Sequence, residues 1–214
     1  MKIHFDKVLF LGAHTDDETA CSSMIAKFLE NGSQVFIAVF SFCEESVPKE
    51  FDKDILRSEF DQAMRILGIF PENVFKYDFK VRHFPTHRQE ILEEITILKN
   101  KISPDLVLLP TLTDIHQDHN TIAQEGLRAF NRTTSSIFGY HFFYNTTGFN
   151  NNGFVEIEQR HLDIKIKALN CYKSQLAKNN QYATEDILWS IARICGVQAC
   201  TPLAEVFEII KLKV

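Results

Sequence analysis

Several features that mark whole classes of protein are missing from this chain of 214 residues. No apolar run approaches the roughly 20 residues that a membrane-spanning helix needs, and the first residues lack the basic and apolar zones of a signal peptide. Basic residues are outnumbered by acidic ones, 23 to 28, which gives a formal charge of -5. Nucleic acids and anionic membranes are usually bound through a basic face, so we expect neither as a partner.

Disulfide and nucleotide motifs are missing as well. The chain has five cysteines, an odd number, and no two of them form a C-x-x-C pair. Their scatter favours reduced, mostly buried thiols, and we therefore expect a cytoplasmic location. No G-x-G-x-x-G or Walker sequence follows the first apolar segment, which argues against a dinucleotide-binding or P-loop protein.

The sequence does contain an alternation of apolar segments and amphipathic segments. Strands are predicted at residues 8–11, 34–42, 74–77, 106–110, 137–144 and near 204–213. Helices are predicted at residues 19–30, 52–67, 88–101, around 122–130, near 160–172 and near 184–196, and a tight turn at 150–153. Continuous apolar strands that alternate with helices predict an α/β, Rossmann-like fold, with a mainly parallel sheet covered by helices on both faces. No linker divides the chain, so we expect residues 1–214 to form a single domain.

Two clusters of histidine and aspartate follow the C-terminal ends of two predicted strands. Residues 12–18 read GAHTDDE, and residues 114–119 read DIHQDH. Open parallel sheets bind ligands outside the carboxyl ends of their strands. The two clusters are therefore expected to meet at that edge of the sheet and to form the active site.

The residue types in the two clusters fit a divalent metal. Imidazole and carboxylate groups together hold zinc or ferrous iron, and three protein ligands leave a position for water or substrate. Asp16 and Asp17 are adjacent, so one could bind the metal while the other takes a proton from water. His116 and His119 could similarly divide into one ligand and one polarising group. Spacing alone leaves the assignment within each pair open.

The motifs AHTDDE and DxHxDH resemble those of the PIG-L/LmbE-like family of metal-dependent N-acetylsugar deacetylases, which usually read AHPDDE and HxDH. Weaker similarities lie at Arg57-Ser58-Glu59 with Leu67-Gly68, at Tyr172-Lys173-Ser174-Gln175 and at Ala204-Glu205-Val206-Phe207. Thr15 stands where the family usually has proline. Proline would preset the backbone of that turn, but the replacement removes no candidate ligand.

The resemblance implies a role for each residue of the two clusters. The metal ligands would be His14, Asp17 and His119. Asp16 would be the general base that activates water, and His116 would stabilise the oxyanion of the tetrahedral intermediate. Asp118 would orient a neighbouring histidine. The reaction would remove acetate from an N-acetylamino sugar or its conjugate, for example a nucleotide-linked sugar, and release a free amine.

Four residues are expected to bind the substrate: Glu44, Arg57, Arg82 and Arg88. Arg57 could form hydrogen bonds with hydroxyl or phosphate groups, or could instead pair with Asp61 one helical turn away. The basic segment 80–88 could meet an anionic part of the substrate or could be a solvated loop. Glu44 matches an acidic position of the family, although Cys43 replaces the glycine that usually precedes it.

Two other functions remain open at this stage. A 2-His-1-carboxylate set of the kind that holds ferrous iron in oxygenases could be drawn from His14, Asp16 and His119, although the α/β pattern argues against the all-β fold expected for such an enzyme. The chain could also be a non-catalytic module that binds a sugar or nucleotide. The sequence does not decide between a monomer and a homo-oligomer.

Overall fold

A computed structural model describes residues 4–178 and 184–213, and its centre is a sheet. The strands are β1 (Lys7–Gly12), β2 (Gln34–Val39), β3 (Val74–Lys76), β4 (Leu106–Pro110), β5 (Ser136–Tyr140), β6 (Gly153–Glu156) and β7 (Ala204–Lys211). In the described ranges they form one seven-stranded sheet, in the order β3-β2-β1-β4-β5-β7-β6. The first five strands are parallel, and β7 is antiparallel to both of its neighbours.

Helices cover both faces of the sheet. They are α1 (Ser22–Glu30), α2 (Ile55–Leu67), α3 (Arg88–Ile102), α4 (Gln117–Phe130), α5 (Gln159–Leu169), α6 (Lys173–Leu176) and α7 (Glu185–Ala199). Successive side chains of a strand point to opposite faces. Val8 and Phe10 of β1 accordingly pack in one core with α1, α2 and α5, whereas Leu9 and Leu11 pack in a second core with α3 and α4. The predicted α/β fold is confirmed.

The order of the strands determines where the site lies. β1 is hydrogen-bonded to β2 on one side and to β4 on the other. The chain builds the sheet outward from β1 to β3 and then crosses to β4 to build the other half. Such a switch point leaves a crevice at the carboxyl ends of the two central strands. The two histidine–aspartate clusters follow those two strands.

Two strands are shorter than predicted. β2 ends at Val39 rather than at residue 42, and β5 ends at Tyr140 rather than at residue 144. Val39 pairs with the last residues of both of its neighbours, and Tyr140 pairs with the last residue of β4. Beyond these points, Phe40 and Phe42 are buried and Phe142 is half-buried in loops, whereas Phe143 and Tyr144 are exposed. The hydropathy of these residues extended the predicted strands too far.

Other boundaries also differ from the prediction. The segment predicted as one helix from residue 19 is a 3-10 helix, Asp17–Ala20, followed by α1, and the helix predicted from residue 52 begins at Ile55. The helix predicted near 160–172 is α5, which ends earlier, at Leu169, and the short α6 follows it. The tight turn predicted at 150–153 is shorter in the structure, because the backbone N–H of Asn152 donates to the oxygen of Asn150 at 2.8 Å and Gly153 already opens β6. A side chain at Gly153 would come within 2.8 Å of Phe207 on the neighbouring strand.

The five cysteines are free thiols, and three of them are buried, as predicted. Within residues 4–178 and 184–213, no helix combines the length and the apolar character that crossing a membrane requires.

A buried ion pair joins the C-terminal third of the chain to the start of α1. Lys165 Nζ lies 2.6 Å from Glu205 Oε1 and donates to the backbone oxygen of Ala20. Glu205 also accepts hydrogen bonds from the backbone N–H groups of Ser23 and Met24. The first N–H groups of a helix have no partner within the helix, so Glu205 caps α1, while Lys165 holds the end of the 3-10 helix before it.

Replacement of Glu205 by alanine should therefore destabilise the protein. It would leave Lys165 as an unpaired buried charge, and breaking a pair of this kind costs about 3–5 kcal/mol. Urea denaturation should show this decrease in the free energy of unfolding. As the control, Asp61→Ala removes the half-exposed partner of Lys76 and should cost less than about 1 kcal/mol. Equal effects of the two substitutions would contradict this role of Glu205.

Candidate active site

The first cluster lies in the turn after β1. The backbone N–H of His14 donates to Asp17 Oδ2 at 2.9 Å, and Asp17 begins the 3-10 helix. The hydroxyl of Tyr172, a residue between α5 and α6, donates to the backbone oxygen of Thr15. The turn is therefore held from both sides, and His14 and Asp17 are both buried.

The second cluster lies between β4 and α4. His116 is the residue before the first turn of α4, and its Nδ1 accepts a hydrogen bond from the backbone N–H of Asp118. Asp114 Oδ1 accepts from the backbone N–H of His116 at 2.8 Å. His119 lies in the first turn of α4 and is buried. The helix start thus directs His116 and His119 toward the end of β1, where their rings lie 4.9 and 5.0 Å from that of His14.

Three atoms from the two clusters converge on one point. His14 Nδ1 lies 3.1 Å from His119 Nε2, and Asp17 Oδ1 lies 3.2 Å from His119 Nε2 and 3.7 Å from His14 Nδ1. Tetrahedral zinc with ligand distances of about 2.0–2.1 Å holds its ligand atoms roughly 3.3 Å apart. The three distances match that geometry, and three ligands leave the fourth position open. These residues therefore fit a divalent metal.

Two further carboxylates orient the histidines of this triangle. His14 Nε2 lies 3.1 Å from Asp118 Oδ2, and His119 Nδ1 lies 2.9 Å from Asp114 Oδ2. Metal-binding histidines generally donate their second ring N–H to a carboxylate or carbonyl group. Each histidine here donates through the nitrogen that faces away from the triangle, which leaves the facing nitrogen available as a ligand.

The electrostatics of the triangle favour positive charge. Burial by itself would lower the pKa of both histidines, but nearby carboxylates outweigh it. Asp17 and Asp118 raise the pKa of His14 to about 9, and Asp17 and Asp114 raise that of His119 to about 10. Burial would raise the pKa of Asp17, yet the two histidines hold it well below its ordinary value. A bound divalent cation would supply this positive charge while both facing nitrogens stay unprotonated.

Asp16 and His116 lie beside the triangle and line the same cavity. Burial and the charge of Asp17 raise the pKa of Asp16 above its ordinary value. Burial, together with His14 and His119, lowers the pKa of His116. His116 is therefore a neutral imidazole at pH 7, and because its Nδ1 accepts a hydrogen bond, its proton resides on Nε2.

His116 also belongs to a second group of ligand-type residues. The nitrogen atoms that His14, His116 and His119 offer lie within 4.8 Å of one another. The triangle with Asp17 is tighter, since its longest side is 3.7 Å. We therefore take Asp17 as the third ligand position.

The two clusters open into a cavity of about 550 Å³, a size typical of small-molecule sites. His14, Asp16, Asp17, His116 and His119 line it. Asp118 is fully buried behind His14, and its role of orienting a histidine stays a prediction.

The residues expected to bind substrate differ in their positions. Arg82 lines the cavity, and its guanidinium group donates to Ser46 Oγ, another residue of the cavity wall. Arg88 does not belong to the wall and binds the buried carboxylate of Glu125 at 2.9 Å. Residues 80–87 form a loop with one 3-10 turn, and Arg88 begins α3. The loop contacts the site through backbone N–H groups that donate to Asp118.

Arg57 and Glu44 also lie outside the cavity wall and bind each other. The Arg57 guanidinium lies 3.1 Å from Glu44 Oε1 and from Asp78 Oδ1, and 3.7 Å from the centre of the Phe42 ring. The alternative of an Arg57 pair with Asp61 is wrong, because Asp61 binds Lys76 on the neighbouring strand β3.

Sequence reasoning missed two residues that support the site. Asp114 orients His119, and it stands five residues before it as the first letter of DxHxDH. Tyr172 holds the turn that contains Thr15, and its hydroxyl also lies 2.8 Å from Glu18 Oε1. The motif letter was a usable signal for Asp114, whereas nothing near Tyr172 in the sequence indicates a contact with residue 15.

The sequence profile of one family, described as PIG-L: GlcNAc-PI de-N-acetylase, matches residues 9–130. This stretch is more than half of the chain and contains both clusters. The chain belongs to the PIG-L family. The resemblance inferred from the two motifs is therefore confirmed, and the family is one of de-N-acetylases.

Solved structures with the same fold include PIG-L-like deacetylases and one enzyme of a different kind. N,N'-diacetylchitobiose deacetylase from Pyrococcus horikoshii is 20% identical, with a TM-score of 0.78 over 97% of this chain and 84% of its own. A zinc-inhibited form of teicoplanin deacetylase is 15% identical, with a TM-score of 0.74 over 94% and 96%. The 4-carboxy-2-hydroxymuconate hydratase GalB from Pseudomonas putida is 18% identical, with a TM-score of 0.76 over 98% of both chains. Similarity at these identities establishes the fold and not the reaction.

The assignment of the ligands predicts different effects for two substitutions. Asp17→Ala removes an atom of the triangle and should weaken zinc binding more than about 100-fold, beyond the effect typical of an outer-shell residue. His116→Ala should leave zinc affinity within about tenfold of wild type. Competition titration with a chromophoric chelator measures both affinities. The reverse order of effects would identify His116 as the ligand in place of Asp17.

Proposed function

We propose that this chain is a metal-dependent amidohydrolase that removes the acetyl group from an N-acetylamino sugar or its conjugate, including nucleotide-linked sugars. The observation that carries the proposal is the triangle of His14 Nδ1, Asp17 Oδ1 and His119 Nε2, with Asp16 beside it on the same cavity wall. Membership in the PIG-L family favours deacetylation over the hydration catalysed by GalB. The products are acetate and a free amine.

The metal we propose is zinc, with ferrous iron or another divalent ion as the alternative, since histidine and carboxylate ligands accept several such metals. His14, Asp17 and His119 would hold it. When bound, the ion would polarise the acetamide carbonyl and lower the pKa of water in the site to about 7. A carboxylate is then a sufficient base at neutral pH.

Asp16 is the proposed general base. It takes a proton from the attacking water, and it can return that proton to the nitrogen of the leaving amine. A carboxyl group whose pKa is raised by burial and by Asp17 is suited to both steps, because efficient proton transfer needs a pKa near the working pH.

His116 is the proposed oxyanion donor. Its neutral ring has the proton on Nε2, because Nδ1 accepts a hydrogen bond from the backbone of Asp118. An N–H group held in place before the reaction stabilises the negative charge that develops on the carbonyl oxygen. Asp118 and Asp114 act through the histidines that they orient.

Arg82 is the proposed contact for polar or anionic parts of the substrate, because it lies on the cavity wall and is exposed. The roles expected for Glu44, Arg57 and Arg88 would require a substrate that extends beyond the wall. We further propose that residues 1–214 form one deacetylase domain. A cytoplasmic location is supported by the five free thiols and stays a prediction, and the sequence leaves the choice between a monomer and a homo-oligomer undecided.

The two alternative functions make different predictions. An oxygenase would consume oxygen and a 2-oxo acid when loaded with ferrous iron, and the parallel sheet with helices on both faces is not the all-β fold expected for it. A binding module would bind an N-acetyl sugar without turnover. Release of a primary amine by the metal-loaded protein distinguishes deacetylation from both.

The test of the general base is Asp16→Asn, which keeps the shape of the side chain and removes its basicity. We expect kcat for amine release from N-acetylglucosamine conjugates to fall about 10²–10⁴-fold, while the zinc content stays at one per chain. Amine release is measured with a fluorogenic amine reagent, on free, methyl-glycosidic and nucleotide-linked sugars.

The matched control is Asp61→Asn, on the outer face of α2, which should leave kcat unchanged. Near-normal activity of Asp16→Asn would show that another group is the base. No amine release by the zinc-loaded or iron-loaded wild type from any sugar of the panel would overturn the proposed function.

A further inference from the structure

The cavity is larger than an acetamide group requires, and its two ends differ in character. One end includes the polar side chains of Ser46 and Arg82, next to the apolar Val81. The other end is lined by aliphatic side chains from α5, α6, α7 and β7, which we call the apolar compartment: Leu162, Leu169, Leu176, Leu188, Ile191 and Val206.

The wall at the apolar end also carries polar groups, and these bind one another or the backbone. Lys178 donates to Gln175 at 2.6 Å, and Gln175 donates to Ser174. Lys165 and Glu205 bind each other and the backbone around the start of α1. His141 stacks on Phe149 with ring centres 3.7 Å apart, and burial, together with Lys165, lowers its pKa to about 4. The hydroxyl groups of a second sugar would lose their hydrogen bonds to water in such a compartment. An aliphatic chain would instead gain from leaving water.

Hydrogen bonds connect the metal triangle to both ends of the cavity, and we infer from them that the triangle lies between the two. On the polar side, the backbone N–H of Arg82 donates to Asp118, which in turn binds His14. On the apolar side, Lys165 donates to the last residue of the 3-10 helix that Asp17 begins, Ala20. An amide at the triangle has its sugar on the nitrogen and its acyl group on the carbon. The polar end suits the sugar, so the acyl group faces the apolar compartment.

We propose that the apolar compartment binds the acyl chain of an N-acyl amino sugar whose acyl group is longer than acetyl. This inference rests on the proposed amide hydrolysis and extends its substrate class. The reaction balances with water alone: a C–O bond forms at the carbonyl carbon, the C–N bond breaks and the amine keeps the transferred proton. The products are the amino sugar and a medium-chain carboxylate.

The first experiment is a chain-length series with the zinc-loaded full chain. The substrates are methyl glycosides of glucosamine that carry N-acetyl, N-butyryl, N-hexanoyl or N-octanoyl groups, and amine release gives kcat/KM. A buried methylene contributes about threefold to fourfold in binding, so we expect the hexanoyl substrate to exceed the acetyl substrate at least tenfold. A second arm compares methyl and octyl glycosides of N-acetylglucosamine.

Two variants test whether the compartment causes the preference. Ile191→Trp and Leu188→Trp fill the compartment from α7, and each should lower the hexanoyl-to-acetyl ratio toward one. The control is Ile194→Trp, on the exposed face of the same helix, which should keep the wild-type ratio. If a tryptophan variant fails to fold, the chain-length series with the wild-type protein still tests whether the apolar compartment binds the acyl chain.

The outcomes separate this inference from the proposed function. Hydrolysis of the acetyl substrate with no gain for longer acyl groups would overturn the compartment and leave the deacetylase intact. A gain confined to the octyl glycoside would overturn the assignment of the compartment to the acyl chain. Hydrolysis of none of the substrates would overturn the proposed function and this inference with it.

Discussion

The parallel pairing of β1 with β4 is the constraint on which the rest of the site depends. Val8, Leu9 and Phe10 pair in register with Leu106, Val107 and Leu108. The two strands therefore end side by side, at the point where the order of the strands in the sheet reverses. The residues after each strand then face one crevice. Because of this backbone register, two clusters that are far apart in sequence form one group of ligands. The contacts between their side chains then set the positions of the individual ligand atoms.

Around the triangle, the role of each histidine depends on which of its two ring nitrogens a neighbouring residue leaves available. Asp118 and Asp114 occupy the outer nitrogens of His14 and His119, and the inner nitrogens therefore face Asp17. The start of α4 occupies Nδ1 of His116 and leaves its Nε2–H to act as a donor. Adjacent residues of similar type thus acquire different functions, as metal ligands, base and hydrogen-bond donor.

The sequence was sufficient to predict the sheet, its helices and the meeting of the two clusters, because hydrophobic periodicity and strand ends are local properties. It was insufficient for contacts that depend on distant elements. The partners of Arg57 come from a neighbouring loop and from beyond β3, not from its own helix as Asp61 does. Tyr172 reaches residue 15, and the apolar compartment is built from four elements of the C-terminal third. Such contacts follow from packing, which no short segment encodes.

The most direct test of this account is a crystal structure of the zinc-loaded protein with anomalous data at the zinc edge. The account predicts one zinc within about 2.0–2.2 Å of His14 Nδ1, Asp17 Oδ1 and His119 Nε2, with Asp16 and His116 outside the coordination sphere and facing the cavity. A zinc ion bound by His116 in place of Asp17, or located away from this triangle, would contradict it.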